Sequence, residues 1–318
     1  MIRWGKTQTG KVRWRCNICK ASNVKRRKDT STRNINTLFK SWLLGMVSIK
    51  NIAKKKHISE RTLIRKFEKQ WGKELHSSFP KLTKEVVIAV DGTTISKDCI
   101  VLIAYDVVSN QPLGWSFVSK EEYKTWYPLL LGVSRLTRVH AVVSDGQKGL
   151  CKAIKELFPH IHHQRCIAHI IRLSLLWLTR NPKTEAGVEL RKIARNLALA
   201  KTKEVSILWR KSFEEWDTKY QLFLKERSTN PLTNRKWYTH RKLRGVRSLI
   251  MGAINNLFYF LYDPLIPNTT NSVEGGINAV LKEVLHRHRG LSTLKKRVLV
   301  SHFLIARRNR RIPTQNVT

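Results

Sequence analysis

Acidic residues are scarce in this chain of 318 residues: 22 Asp and Glu stand against 61 Lys and Arg, a formal net charge of +39. A protein so short of negative charge sets up a positive field that draws polyanions, so DNA or RNA is the expected partner. Ribosomal and membrane-surface roles share that field. Against them, hydrophobic residues make up 42% of the chain and are spread along it, which allows one large or two to three small packed domains and favours a folded nucleic-acid enzyme or binder. Cysteine is sparse too: the five, at 16, 19, 99, 151 and 166, are odd in number and too scattered for a disulfide framework, as expected of a reducing interior. Long hydrophobic runs are missing. The most apolar stretch, residues 249–265, is interrupted by Asn255, Asn256 and Asp263, and no apolar segment follows Met1, so the sequence predicts a soluble, intracellular protein with no membrane partner.

With acids so few, the two that follow apolar runs stand out. Val139, Ala141, Val142 and Val143 read as a buried strand ending at Asp145, and Gly146 with the spacing after it reads as a tight turn into a helix. Upstream, Val86-Val-Ile-Ala-Val runs into Asp91 and Gly92 in the same way. The carboxyl ends of strands in an open α/β sheet collect catalytic groups, because strand ends and helix starts fix side chains around a crevice. One aspartate there suits a helix cap or a turn equally well. Two of them suggest a cation site.

Residues 1–33 are expected to form a truncated or degenerate zinc-ribbon-like segment. Thr7-Gln-Thr-Gly10 fits a hairpin turn between two short strands, with Cys16 and Cys19 after the second. Tetrahedral zinc takes four ligands, and no second Cys pair is present: either a first pair lay upstream of Met1 or these are free thiols. Residues 34–80 carry helical periodicity in three pieces, 34–44, 48–56 and 59–71, the first two separated at Gly45 and the third capped at Ser59. In the third piece Leu63, Ile64 and Phe67 are expected to face inward, while Arg61, Arg65, Lys66 and Lys69 decorate it. That is the outline of a helix-turn-helix, whose last helix enters the major groove while basic residues grip phosphates. An ordinary three-helix unit with a solvated basic face has the same outline.

From residue 84 the pattern turns to strands at 85–90, 99–107 and 113–119, then a helix over 120–132, the strand ending at Asp145, a helix to 158 and a short strand over 161–165. Three strands in meander followed by alternating helix and strand describe an α/β fold with a ribonuclease H-like core, here 84–180 and 264–311. Between those segments, 181–263 is helical and polar with little strand signal, a helical insertion. Beyond it, Asn271-Ser-Val-Glu274-Gly-Gly opens a further helix. Asn271 and Glu274 have capping-box spacing, yet Gly275 and Gly276 each cost a helix about 1 kcal/mol relative to alanine, which predicts close backbone approach there. The basic tail ends in Arg307, Arg308, Arg310 and Arg311, a cluster expected to be free for phosphates.

Two carboxylates on adjacent strands and a third from a helix start can hold two divalent cations about 3.5–4 Å apart, one activating the attacking oxygen and the other steadying the leaving oxygen of a phosphodiester. Carboxylates suit Mg2+ or Mn2+. A rival cluster, His160, His162, His163, Cys166 and His169, has zinc-binding residue types, but strand alternation sets His163 opposite His160 and His162. Packing beside the active site is the simpler role for Cys166 and His169. Phosphatase chemistry of the haloacid-dehalogenase kind, through Asp91-Gly-Thr-Thr, is excluded because the position two before Asp91 is Ala89.

Taken together, Asp91, Asp145 with Gly-x-x-Gly-Leu after it, Cys166-x-x-His169 and Thr270-Asn-Ser-Val-Glu274-Gly resemble the bacterial insertion-sequence DDE transposases of the Mutator-like group. The resemblance covers about residues 84–305, with spacings of 54 (91 to 145) and 129 (145 to 274) between the acids. It implies that Asp91, Asp145 and Glu274 are the metal-binding catalytic triad, for Mg2+ or Mn2+, with Cys166 and His169 as a signature pair beside them. It implies a protein that binds the terminal inverted repeats of its element through residues 1 to about 75, cuts and joins DNA, works as a homo-oligomer and resides in the cytoplasm at the nucleoid. The front segment resembles the second half of a zinc ribbon, which leaves Cys16 and Cys19 as remnant ligands. A non-catalytic DNA-binding descendant of such an element and a structural RNA-binding protein are the alternatives.

Overall fold

The computed structural model describes residues 1–8, 10–24, 28–72, 84–270 and 274–308, at 28–33 and 274 by backbone alone, and the chain divides into two units, Met1–Leu75 and His76–Thr318. In the first unit β1 (Ile2–Lys6), β2 (Val12–Arg15) and β3 (Ser22–Val24) form an antiparallel sheet in that order. The β1–β2 turn falls where the sequence places it: the Gly10 N–H donates to Thr7 O at 2.9 Å and the Lys11 N–H to Thr7 Oγ1 at 3.0 Å. Cys16 and Cys19 sit in the turn before β3, where the backbone N–H groups of Cys19 and then Ile18 lower the Cys16 thiol.

Three helices follow, α1 (Lys28–Leu43), α2 (Ile49–Lys56) and α3 (Glu60–Trp71). Ser48 and Ser59 cap the last two, accepting the N–H of Asn51 at 3.2 Å and of Thr62 at 3.1 Å, and each cap contributes about 1 kcal/mol. The link between α2 and α3 is His57-Ile58-Ser59, with His57 left-handed at φ 51°. Aromatic rings hold α3 against α1: Phe67 stacks on Trp42 at 5.3 Å and meets Phe39 edge-on at 5.4 Å. Leu63 and Phe67 are buried as expected. Ile64 is not; it stands 45% exposed, because one step past Leu63 is a rotation of about 100° around the helix, onto the face of Arg61 and Arg65.

In the second unit β4 (Val86–Ser96), β5 (Cys99–Asp106), β6 (Gln111–Val118), β7 (Val139–Ser144) and β8 (His162–Arg165) form one sheet in the order β6-β5-β4-β7-β8. The first three strands run antiparallel and β7 and β8 run parallel to β4, the mixed α/β arrangement of a ribonuclease H-like core. Both faces are covered, which is why β4 and β7 read as near-continuous apolar runs. On one face Val86, Ile88, Val90, Leu102 and Val142 pack on Trp126 and Leu130 of α4 (Tyr123–Leu136) and on Leu150 and Ile154 of α5 (Lys148–Leu157). Helix α4 starts three residues later than the sequence suggests, because Thr125 Oγ1 accepts the Glu122 N–H at 3.0 Å and fixes the start there.

After α6 (Ile167–Leu178), residues 181–263 contribute α7 (Glu185–Asn196), α8 (Lys203–Lys219) and α9 (Arg241–Met251). With α6 they enclose a second core that includes Ile170, Leu190, Phe213, Trp216, Val246 and Ile250. A short antiparallel pair, β9 (Arg227–Thr229) and β10 (Lys236–Tyr238), interrupts them; strands of three residues are too short to leave an alternation in the sequence. Gln164 of β8, fully buried, ties the two cores by donating to Leu257 O at 2.8 Å and accepting from the Phe260 N–H at 3.3 Å. The chain returns through a π turn (Glu274–Asn278) into α10 (Ala279–Arg287) and α11 (Thr293–Arg308), and α11 covers the other sheet face, where Trp115 Nε1 donates to Ser301 Oγ at 3.3 Å. Among the described residues no helix is long and apolar enough to cross a membrane.

Candidate active site

The parallel register of β4 and β7 decides where the two aspartates stand. It ends at Ala89↔Val143 and Val90↔Ser144, so Asp91 and Asp145 occupy the next position of each strand. Asp91 faces the side of β4 opposite to Val90, toward Tyr105, while Asp145 stands one residue past the end of β7, near Glu121; neighbouring strands lie about 4.8 Å apart. Only Asp145 is at a strand end. Strand β4 continues to Ser96, with Asp91 still paired to Ile103 of β5, so Asp91 lies at the point where β7 parts from β4 and not at the strand tip the sequence suggested. Gly92, read there as a turn, instead makes room for an acid. A Cβ built on Gly92 would lie 2.4 Å from Glu121 Oε1.

Around Asp145 the backbone is fixed from several sides. Asp145 Oδ1 accepts the Gln147 N–H at 3.0 Å, so the turn-opening role that a lone aspartate plays is present and occupies one of its oxygens. Gln147 in turn caps α5, taking the Leu150 N–H at 2.8 Å on Oε1 and donating Nε2 to Glu121 O at 2.6 Å. Arg165, 6% exposed, donates to Asp145 O at 3.1 Å and lies flat against Gly146, whose φ is +84°. Burial, and then the charge of Asp145, raise the Glu121 carboxyl above its ordinary range.

Asp91 is tied to the returning helix. Its Oδ2 accepts from Asn278 Nδ2 at 2.5 Å, and Asn278 closes the π turn that Glu274 opens. The Glu274 side chain lies outside the described residues. Behind Asp91, Tyr105 is fully buried, and burial followed by the Asp91 charge pushes its hydroxyl well above the usual value. Arg307 opposes that shift and donates to Gly276 O.

A sequence profile described as "Transposase, Mutator family" matches residues 27–232, more than half of the chain, and takes in both aspartates. The chain belongs to the Mutator family of transposases. It is similar to the transposase for insertion sequence element IS905 of Lactococcus lactis subsp. lactis (strain IL1403), 29% identical over 161 residues, which are 46% of this chain and 40% of that protein. Two solved structures also match weakly. They are the HTLV-2 integrase catalytic core domain in complex with magnesium (17% identity, 36% of this chain and 86% of that one, TM-score 0.23) and the simian T-cell lymphotropic virus intasome in complex with PP2A regulatory subunit B56 gamma (12%, 49% and 70%, TM-score 0.22). Scores that low bear on neither fold nor function.

Cys166 and His169 do not gather a metal, and among the described residues no three His, Cys, Asp or Glu side chains do so. His162 stacks on Tyr259 at 4.4 Å, His163 Nε2 lies 2.7 Å from Ser144 Oγ, and Cys166 Sγ accepts from both the N–H and the Oγ1 of Thr270 at 3.3 Å. Burial pushes the Cys166 thiol up, but hydrogen bonds from His169 and Thr270 outweigh it and leave it lowered. Cys166 therefore joins two acid-bearing segments. Its N–H donates to Ser144 O at 2.8 Å, next to Asp145, and its sulfur holds Thr270, four residues before Glu274.

Two further expectations are corrected. A Cβ at Gly275 would meet nothing within 4 Å among the described residues, and one at Gly276 only Asn110 Nδ2 at 3.5 Å, so neither glycine marks a close approach; the irregular π turn is what they accompany. Arg307 is not free for phosphates, since it is committed to Gly276 O, while Arg310 and Arg311 lie outside the described residues. Glu121 and Asn278 escaped the sequence reading, the former because it precedes a helix as caps do, the latter because its spacing from Glu274 looks like ordinary helix periodicity.

His163 supports a pH prediction. Burial first, then the Arg165 charge, lower its imidazole to about 4. The unfolded chain protonates near pH 6.5, before the folded one, so this contribution is whole above about pH 6.5 and falls by about 3 kcal/mol as pH drops to about 4. Urea unfolding at about pH 7 and about pH 4.5 should show a steeper loss for wild type than for His163→Gln. Parallel losses would mean that His163 does not titrate as described.

Proposed function

We propose that this protein cuts DNA at the ends of an insertion sequence and joins those ends to a target, with Asp91, Asp145 and Glu274 as the carboxylates that hold Mg2+ or Mn2+. What supports this reading is the β4–β7 register, which ends one residue before both Asp91 and Asp145, and the hydrogen bond by which Asn278 ties the turn that starts at Glu274 to Asp91. Carboxylate oxygens are a hard donor set and fit a divalent cation of that kind. When bound, such ions supply activation of a water or 3′-hydroxyl and stabilisation of the leaving oxygen. The chain's own residues do the rest. Asn278 orients Asp91 Oδ2, Gln147 and Arg165 fix Asp145 by side chain and main chain, and Cys166 anchors the approach to Glu274 through Thr270. Glu121, whose pKa burial and then the Asp145 charge raise, adds a further carboxyl beside Asp145.

Element-end binding is assigned to residues 1 to about 75, with α2 and α3 as a helix-turn-helix. Its support is the three-residue link between them and the exposure of Arg61, Arg65, Lys66 and Lys69 on α3. Cys16 and Cys19 are assigned as remnant ligands of a zinc ribbon, two of the four that tetrahedral zinc takes. The helices of 181–263 are read as an insertion in the catalytic core, and joining two ends at once calls for a homo-oligomer on DNA. The test is incubation of the full chain with a plasmid carrying its gene and native flanking DNA. Mg2+ should produce breaks at both flanks and strand-transfer products, and EDTA should remove them. Binding of the flanks with no break in Mg2+ or Mn2+ would leave only a DNA-binding protein.

A further inference from the structure

We infer that Ile64 reads the C5-methyl group of a thymine in the major groove, as one member of a base-reading stripe made of Arg61, Ile64, Arg65 and Glu68. This rests on the reading of α2 and α3 as a helix-turn-helix. The four residues are spaced i, i+3, i+4 and i+7, so they line one face of α3, and all four are exposed. The rotation of α3 is fixed from behind. Leu63 (0% exposed), Phe67 (1%) and Gln70 (8%) are buried on the opposite side, with Phe67 wedged between Phe39 and Trp42.

The charge around the stripe selects its occupant. Lys54, Lys55 and Lys56 end α2, Lys66 and Lys69 extend the basic surface of α3 beyond Arg65, and all five are exposed, which suits the phosphate backbone beside a groove. In such a motif the second helix presents its N-terminal residues to base edges, and Ile64 is the fifth residue of α3. Single exposed aliphatic residues are common on protein surfaces. Ile64 differs by position, one turn in from the start of α3 and on the same exposed side of the helix as Arg61 and Arg65. A cation at that position would add affinity without sequence information if it met phosphate. A branched aliphatic side chain has one apolar partner on the major-groove floor, the thymine methyl; cytosine offers an amine there and no methyl.

The inference is tested with the full chain and a random duplex library. Wild type should enrich a sequence that contains a thymine whose replacement by deoxyuridine lowers affinity about four-fold, the worth of one buried methyl group. Ile64→Ala, at an exposed helical position, should enrich the same sequence at the other positions but lose the distinction between thymine and deoxyuridine. Enrichment by wild type with no thymine sensitive to deoxyuridine, or the same sensitivity in Ile64→Ala, would overturn the role of Ile64 and leave the helix-turn-helix standing. No enriched sequence at all would overturn both.

Discussion

Asp91→Asn is expected to lower Mg2+-dependent strand transfer by about three orders of magnitude or more, because one of the few charges that anchor the cation is lost while the reaction depends on metal for several kcal/mol. Binding to the DNA flanks should stay within about two-fold of wild type, since Asp91 belongs to the His76–Thr318 unit and not to α3. The fold should survive as well. The amide carbonyl of the substituted side chain can still accept from Asn278 Nδ2, and removing one of two like charges on neighbouring strands relieves repulsion. Thermal melting in EDTA should therefore show the variant no less stable than wild type. A clear loss of stability or of DNA binding would assign Asp91 to the fold.

The second large effect is expected at Gly146. An alanine Cβ there would fall 1.7 Å from Arg165 Cζ and 1.8 Å from its Nε, at a φ of +84°. The left-handed backbone alone costs alanine about 1–2 kcal/mol. Displacing a buried guanidinium and its bond to Asp145 O adds about 2–3 kcal/mol, so Gly146→Ala should cost about 3–5 kcal/mol in urea unfolding. In an Arg165→Ala background the overlap disappears and only the backbone cost should remain. A double-mutant cycle separates the two, and equal cost in both backgrounds would show that Arg165 does not press on Gly146.

How far the site was legible depended on whether its residues obey local rules. Strand β7 and Asp145 were plain from an apolar run ended by an acid and a glycine, and the structure keeps that sense down to the Asx turn through Gln147. Asp91 was found by the same rule but misplaced within its strand. Gly92 carries a breaker signal in sequence, whereas its role is tertiary: it yields space to Glu121, which arrives from beyond β6. Ile64 was assigned to the core because an aliphatic residue next to Leu63 fits a broad apolar stripe, and only the packing of Phe67 on Trp42 sets the rotation that leaves it outside. The tie from Cys166 to Thr270 spans 104 residues, a distance at which no periodicity speaks. Arg307 shows the converse, a residue that looked solvated by composition and is held by a backbone carbonyl.

The central claim is that Asp91, Asp145 and Glu274 hold metal together, and a Mn2+ titration followed by electron paramagnetic resonance on the full chain tests it without relying on turnover. Wild type should bind Mn2+ in a form that Mg2+ displaces, and Asp91→Asn, Asp145→Asn and Glu274→Gln should each weaken that binding by a similar factor while Glu85→Gln, just before the start of β4, does not. Wild-type affinity in Glu274→Gln would contradict the account, because the third carboxylate would then lie outside the set that Asp91 and Asp145 begin.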